Sequence, residues 1–406
     1  MNLKNEKGFV TEALTIGIII MLIALVVLFL YTINANNNLD ENLNVASADE
    51  YIYNNVVSNN FIDSNTIALE NENLVQDEKV SESYSEEYDK ILNSYKNLNQ
   101  VNNETTVDNN TVYDSRNNYN KYYYNQLSDN SKAIYDAIYN NKEKLKSGTY
   151  SMDIPDYVTD ILYESDGKEQ LSKSFQSAID AIKMDNPDLF YIAFNKILLI
   201  TETTTRGNEK TYKLYLENDE NDTYLVDNFN TQEIAERAIN VIENKRREIL
   251  NNAIGTDYEK VKYVHDWIIE NIEYETTISK DNIHNIYGAL IDGEVVCGGY
   301  AKAFRYILDG LNIPCIIVQG VATNSDGISE NHAWNYVKLN GSWYAIDTTW
   351  DDPIIQGGFS SVLYSKHTTE YFLKGSNSIL KDHVENGAFS ENGKIFNYPV
   401  LSYEDY

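Results

Sequence analysis

Asn340-Gly341 stands between two runs that alternate apolar and polar residues, His332 to Leu339 and Ser342 to Asp347. Both central residues of a two-residue type I′ turn need positive φ, which Asn-Gly supplies, so the chain here is expected to form a β-hairpin. A two-residue loop also sets the register. Leu339 pairs with Ser342 and, counting outward, Trp334 faces Asp347 and His332 faces Thr349. Alternation then puts His332 and Asp347 on one face as diagonal neighbours, about 7–8 Å apart and within side-chain reach. A loop one residue longer would put them on opposite faces. An imidazole aligned by a carboxylate is the base half of a nucleophilic site.

The other half is upstream. Gly293 to Tyr300 reads GEVVCGGY and leads into a helix with Ala301, Phe304, Ile307, Leu308 and Leu311 on one face. Cys297 therefore stands at or just before a helix N-terminus, where free N–H groups and the positive dipole end favour negative charge on a sulfur. The flanking glycines allow another backbone to come close. A small buried residue in a turn is the plain alternative for a lone cysteine. With His332 and Asp347 downstream, the expected roles are Cys297 nucleophile, His332 base and Asp347 orienter, the logic of acyl transfer. Backbone N–H groups at Cys297 would supply part of an oxyanion hole.

Other candidates carry less. Cys315 lies in the apolar run Pro314 to Val318 and reads as core; a bridge to Cys297 would block the nucleophile. His265 sits on the apolar face of its helix and reads as structural. His284, His367 and His383 have no metal-ligand partners at useful spacing, so neither a metal nor a cofactor is expected. Asp351-Asp352-Pro353 is expected at the rim of the cleft, and Glu217 to Asp222 as a solvated acidic loop.

Net charge is −30, from 32 basic and 62 acidic residues, which would repel a polyphosphate and excludes nucleic acid as a partner. Ala13 to Ile33 carries no charge over 21 residues. As a helix it would span the ~30 Å hydrocarbon layer, and it exceeds the roughly 7–15 apolar residues of a signal peptide. A prepilin-like leader, Gly8 to Glu12, is a third reading. Lys4 and Lys7 precede the run and no Lys or Arg follows before Lys79, so the N-terminus is expected in the cytoplasm and the remainder outside. Residues 34–120 hold 23 asparagines, no glycine, no proline and a charge of −12. Such a stretch reads as an acidic stalk, with one helical stripe from Tyr84 to Leu98.

All five prolines lie after residue 140. Helices are expected over Ser128 to Asn141, around Leu171 to Ile182, over Thr231 to Asn252 and over Thr256 to Ile272. Strands are expected over Phe190 to Thr201 and Thr211 to Leu216. The expected division is 1–33 tail and transmembrane helix, 34–120 stalk, 121–230 α+β subdomain and 231–406 the domain carrying Cys297.

The blocks GEVVCGGYAKAFRYILDGLNIPCIIVQG and NHAWNYVKLNGSWYAIDTTWDDP closely resemble the transglutaminase-like superfamily. The helix DYEKVKYVHDWIIENIEYE before them and YFLKGSNSILKDH after them resemble its flanks, over roughly Thr231 to Val384. Tyr122 to about Phe229, with AIKMDNPDLFYI, resembles the region preceding this fold in clostridial-type surface proteins. The resemblance implies an α+β, papain-like fold with the nucleophile helix packed on an antiparallel sheet. It also implies Cys297 as nucleophile, His332 as base and Asp347 as orienter. The zinc-binding CxxC pairs of the peptide N-glycanase branch are missing, which disfavours deglycosylation. The resulting expectation is a bacterial, single-pass, cell-surface enzyme that forms a thioester from protein or peptide amides at the envelope. Hydrolysis, as a cysteine protease or amidase, stands ahead of amine capture by a crosslinking transglutaminase. A non-catalytic surface binding module is the reading from another class.

Overall fold

The computed structural model describes residues 61–63, 121–148, 150–218, 222–325, 327–352, 368–386, 389–390 and 393–406, all within the unit Ile52–Tyr406. The apolar run 13–33, the leader-like residues 8–12, the 84–98 stripe and His367 lie outside the described residues. Among the described residues, no helix is long and apolar enough to cross a membrane.

The described residues hold ten strands: β1 (Phe61–Asp63), β2 (Met152–Asp153), β3 (Leu198–Arg206), β4 (Glu209–Glu217), β5 (Glu273–Tyr274), β6 (Glu294–Val295), β7 (Cys315–Thr323), β8 (Ser329–Leu339), β9 (Ser342–Ile346) and β10 (His383–Glu385). The α-helices are α1 (Asp129–Tyr139), α2 (Gly167–Asp185), α3 (Gln232–Asn252), α4 (Asp257–Asn271), α5 (Cys297–Gly310) and the short α6 (Ser376–Ile379). One sheet has the order β1-β3-β4-β2, a second the order β10-β7-β8-β9, and β5 pairs with β6. Every pairing in the second sheet is antiparallel. Helices segregated from largely antiparallel sheets make the fold α+β.

Side-chain caps set the helix starts. Ser128 caps α1, Thr231 caps α3, and Thr256 with Glu259 forms a capping box on α4. Asn186-Pro187 ends α2, since a residue before proline is driven out of the helical region.

Two expectations need correction. Phe190 to Ile197 is not a strand: it follows the turn Pro187–Leu189, turns again at Phe194–Lys196, and β3 begins only at Leu198. Its apolar side chains serve packing instead, with Phe190 edge-on to Phe229 at 5.2 Å. The stretch expected as an acidic stalk with a helical stripe also contributes a strand, because β1 pairs in parallel with β3. Even three residues can satisfy the open backbone edge of a sheet.

One apolar core crosses the 230/231 boundary. Tyr123, Ile134, Leu171, Phe175 and Leu199 cluster with Ala301, Ile317 and Ala333. A second cluster joins α3, α4 and α5 through Ile242, Val261, Val264, Phe304 and Ile307. Packed between these clusters and held to β8 by Asn335, whose Nδ2 donates to Ala301 O at 3.0 Å, α5 has its first residue fixed in place.

Candidate active site

Cys297 is the first residue of α5, after Val296 in extended conformation. Val296 N–H donates to Ile283 O at 3.0 Å, and Gly299 keeps that approach open. A Cβ at Gly299 would lie 2.8 Å from the same Ile283 oxygen and 2.4 Å from Val295 Cβ. Cys297 is half-buried, whereas Cys315 is wholly buried on β7, and both are free thiols. Burial pushes the Cys315 thiol well above its ordinary range.

The hairpin has the expected register, running from Leu339–Ser342 to Asn335–Ile346. Asn340 and Gly341 have φ of 50° and 89°, as a type I′ turn requires. The ladder stops one pair before Trp334 and Asp347. Asp347 N–H turns instead to Tyr371 O, at 3.1 Å. The carboxylate still faces His332, whose Nε2 lies 2.7 Å from Asp347 Oδ2. Asp347 Oδ1 accepts the backbone N–H of Thr349 at 2.9 Å and of Trp350 at 3.2 Å. Nδ1 of His332 is thereby left as the nitrogen for the Cys297 sulfur, with which the ring hydrogen-bonds. The structure thus brings Cys297, His332 and Asp347 together.

Electrostatics favour charge on the His–Asp couple. Burial opposes the His332 cation, but the charge and hydrogen bond of Asp347, with Cys297 on the other side, raise its pKa well above the ordinary histidine range. Burial likewise opposes the Asp347 anion. His332 and His383 outweigh it and hold the carboxyl well below the usual carboxylate range. A buried carboxylate can stay ionised only with donors of this kind.

His383 is the residue the sequence reading missed. Its Nε2 lies 3.0 Å from Asp347 Oδ2, and its Nδ1 lies 2.6 Å from Asp382 Oδ1. Thirty-six residues separate it from Asp347, and only the pairing of β10 with β7 brings them together. Asp351 and Asp352 are also placed differently from the expected rim. Both are buried: Asp351 meets His265 Nε2 at 3.0 Å, and Tyr300 Oη donates to Asp352. They anchor the turn after Asp347 to α4 and α5, and His265 is structural in this sense.

His332, Asp347 and His383 are the described residues that could group around a metal ion, with ligand atoms within 4.8 Å of one another. Yet both nitrogens already approach one carboxylate oxygen at hydrogen-bond distance, 2.7 and 3.0 Å. Ligands of a tetrahedral zinc stand about 3.3 Å apart, so an ion would have to open both contacts. A hollow of about 470 Å³ near Phe229, Lys280, Tyr287 and Glu294 includes none of Cys297, His332 and Asp347.

A family profile described as the transglutaminase-like superfamily matches residues 247–348, from the end of α3 past Asp347. Residues 247–348 thus form a transglutaminase-like domain. Kyphoscoliosis peptidase of Mus musculus is 27% identical to it over 140 residues, 32% of this chain and 21% of that protein. The Homo sapiens kyphoscoliosis peptidase is 28% identical over the same shares. The chain thus spans about a fifth of the length of these curated relatives. Among solved structures, the periplasmic domain of TgpA from Pseudomonas aeruginosa bound to ethylmercury is 17% identical. It aligns with a TM-score of 0.22 over 35% of this chain and 56% of that one. Cys297 on α5, His332 on β8 and Asp347 just after β9 all fall within the matched residues 247–348.

Proposed function

We propose that the protein is a cysteine acyl-transfer enzyme acting on protein or peptide amides through a thioester on Cys297. The observation that carries this reading is one imidazole bonded to Asp347 on one side and to the Cys297 sulfur on the other. His332 Nδ1 takes the sulfur's proton as Sγ adds to the amide carbonyl carbon. Collapse of the adduct breaks the C–N bond, and the proton on Nδ1 leaves with the amine. Water or an amine then attacks the thioester, His332 takes its proton, and the thiol is restored. Asp347 holds Nε2–H throughout, fixing the tautomer and the imidazolium that forms.

Hydrolysis is the favoured second half-reaction, and the peptidase name of the mouse and human relatives supports it. The uncharged run Ala13–Ile33, with Lys4 and Lys7 before it, supports a membrane anchor and a catalytic domain outside the cytoplasm. Incubating the full chain with casein and a labelled primary amine tests the reaction. Casein fragments mean hydrolysis, label incorporation means crosslinking, and neither on any amide substrate leaves a binding module.

A further inference from the structure

Asp347 has two histidine partners, and the proposed chemistry uses only one. His383 Nε2 reaches the same oxygen, Oδ2, that aligns His332. Its ring is fixed from outside the hairpin. Nδ1 is tied to Asp382 Oδ1 at 2.6 Å, and Tyr371 Oη donates to Asp382 Oδ2 at 2.9 Å. The rings of Trp350, Trp334 and Tyr371 surround it with centroids 4.6, 5.1 and 5.3 Å away. His383 itself is fully buried. β10 can sit this close only because β7 carries Gly320, where a Cβ would lie 2.0 Å from Val384 O.

We propose that His383 is a positioning residue that tunes Cys297 and His332 through Asp347, by donating Nε2–H to Oδ2 and locking the carboxylate in the orientation His332 needs. The proposal rests on the thioester reading and deepens it. Oδ1 is already held by the Thr349 and Trp350 N–H groups. With His383 in place, each oxygen has a fixed donor besides His332, so the carboxylate cannot rotate as the imidazole moves during turnover. The second effect is electrostatic. The titratable groups around His383 are Asp347, Asp382, His332 and Tyr371. Removing its N–H leaves more negative charge on Oδ2 and a looser His332. Both changes oppose a negative sulfur at Cys297, so alkylation of that sulfur should begin at higher pH.

The test is iodoacetamide labelling of the full chain from acid to alkaline pH, with the Cys297 and Cys315 peptides read separately by mass spectrometry and folding followed by thermal melting. In the wild type, Cys297, half-buried at a helix start, should label at least about ten times faster than the wholly buried Cys315 near neutral pH. His383→Phe keeps a ring in the cage without an N–H, and should move the acid limb of Cys297 labelling upward by on the order of one pH unit. His383→Gln, whose amide N–H₂ reaches the place of Nε2, should return the limb most of the way. A limb unmoved in folded His383→Phe, or moved equally by His383→Gln, overturns the proposal. If neither variant folds, histidine-selective ¹⁵N labelling of the wild type decides it. Alkylating Cys297 should shift the Nε2–H resonance of His383 as well as that of His332, and an unmoved His383 signal overturns the coupling. Wild-type Cys297 that labels no faster than Cys315 at any pH overturns the thioester reading itself, and is thereby told apart from failure of the His383 role.

Discussion

Two buried charged clusters lie against α5, and one of them meets a half-buried free thiol, Cys297. Arg305, on α5, lies 3.7 Å from Asp185 Oδ1 and 3.7 Å from Asp309 Oδ2. Burial pushes the Asp185 carboxyl up to about 7 and that of Asp309 to about 6, with Arg305 pulling the other way. The second cluster, His332–Asp347–His383, is also buried, and His332 and Asp347 in it are strongly shifted as well. Perturbed titration alone would therefore nominate both as functional sites. What separates them is Cys297, a half-buried sulfur at a helix start bonded to one member of the second cluster. Arg305 by contrast bonds the Asp185 backbone oxygen, at 3.2 Å, and joins α2 to α5. A buried charge network becomes a site when an accessible nucleophile shares it.

The largest expected effect is at the thiol itself. Cys297→Ala should abolish turnover and leave the melting temperature nearly unchanged, because alanine at a helix start disturbs little packing. His332→Ala should cost nearly as much, since the sulfur's proton then has no acceptor. Asp347→Ala should be milder, as an orienter is in other triads, and Asp347→Asn should act chiefly by favouring the wrong tautomer. Turnover on casein together with melting curves would show this order. Full activity in Cys297→Ala would remove the nucleophile and the mechanism with it.

Much of this was legible in the sequence, for reasons of distance along the chain. Asn340-Gly341 sets a local register, and a local register determines which face His332 and Asp347 share. Cys297 was legible because glycines and an apolar stripe mark a helix start. His383 was not. Its place depends on β10 finding β7, on Gly320 admitting that approach and on Asp382 fixing the ring, none of which leaves a spacing signal near Asp347. Phe190 to Ile197 misled for a different reason: aromatic, β-prone residues can serve packing in turns as well as in strands. Nor did Asp351 and Asp352 announce themselves as anchors, because their partners His265 and Tyr300 come from other helices.

Arg305→Met should produce the next largest effect, and on stability rather than chemistry. Removing one partner of a buried ion network strands the remaining charges and typically costs about 3–5 kcal/mol. Denaturant unfolding should show a loss of that size. The labelling rate of Cys297 should stay within about twofold of wild type while the protein is folded. A variant that unfolds normally but loses Cys297 reactivity would mean that the two clusters are one functional unit.

The dependence on pH should separate the clusters by sign. Asp185 has its pKa raised on folding, so the native state binds the extra proton between about pH 4 and 7. Its contribution to stability therefore falls as pH rises through that window. Asp347 has its pKa lowered, so its contribution is present above about pH 4 and is lost as pH falls further. Melting temperatures measured across pH should decline less steeply from 4 to 7 in Asp185→Asn. The drop below pH 4 should be shallower in Asp347→Asn. Identical profiles in wild type and both variants would contradict these assignments.

The smallest effect concerns the hairpin that aligns the second cluster. Asn340 holds φ at 50° in an exposed turn, and its Nδ2 donates to Tyr406 Oη at 2.8 Å. Alanine in the left-handed region costs about 1 kcal/mol, and the exposed hydrogen bond adds little. Asn340→Ala should thus lower unfolding stability by roughly 1 kcal/mol. Asn340→Gly should lose less, because glycine accepts positive φ at no steric cost. Neither should slow Cys297 labelling, since the loop keeps its two-residue length and the five pairs from Leu339–Ser342 to Asn335–Ile346 hold the register it sets. A labelling rate that fell with Asn340→Ala while stability fell by only this much would mean that the turn itself, and not the ladder behind it, keeps His332 facing Asp347.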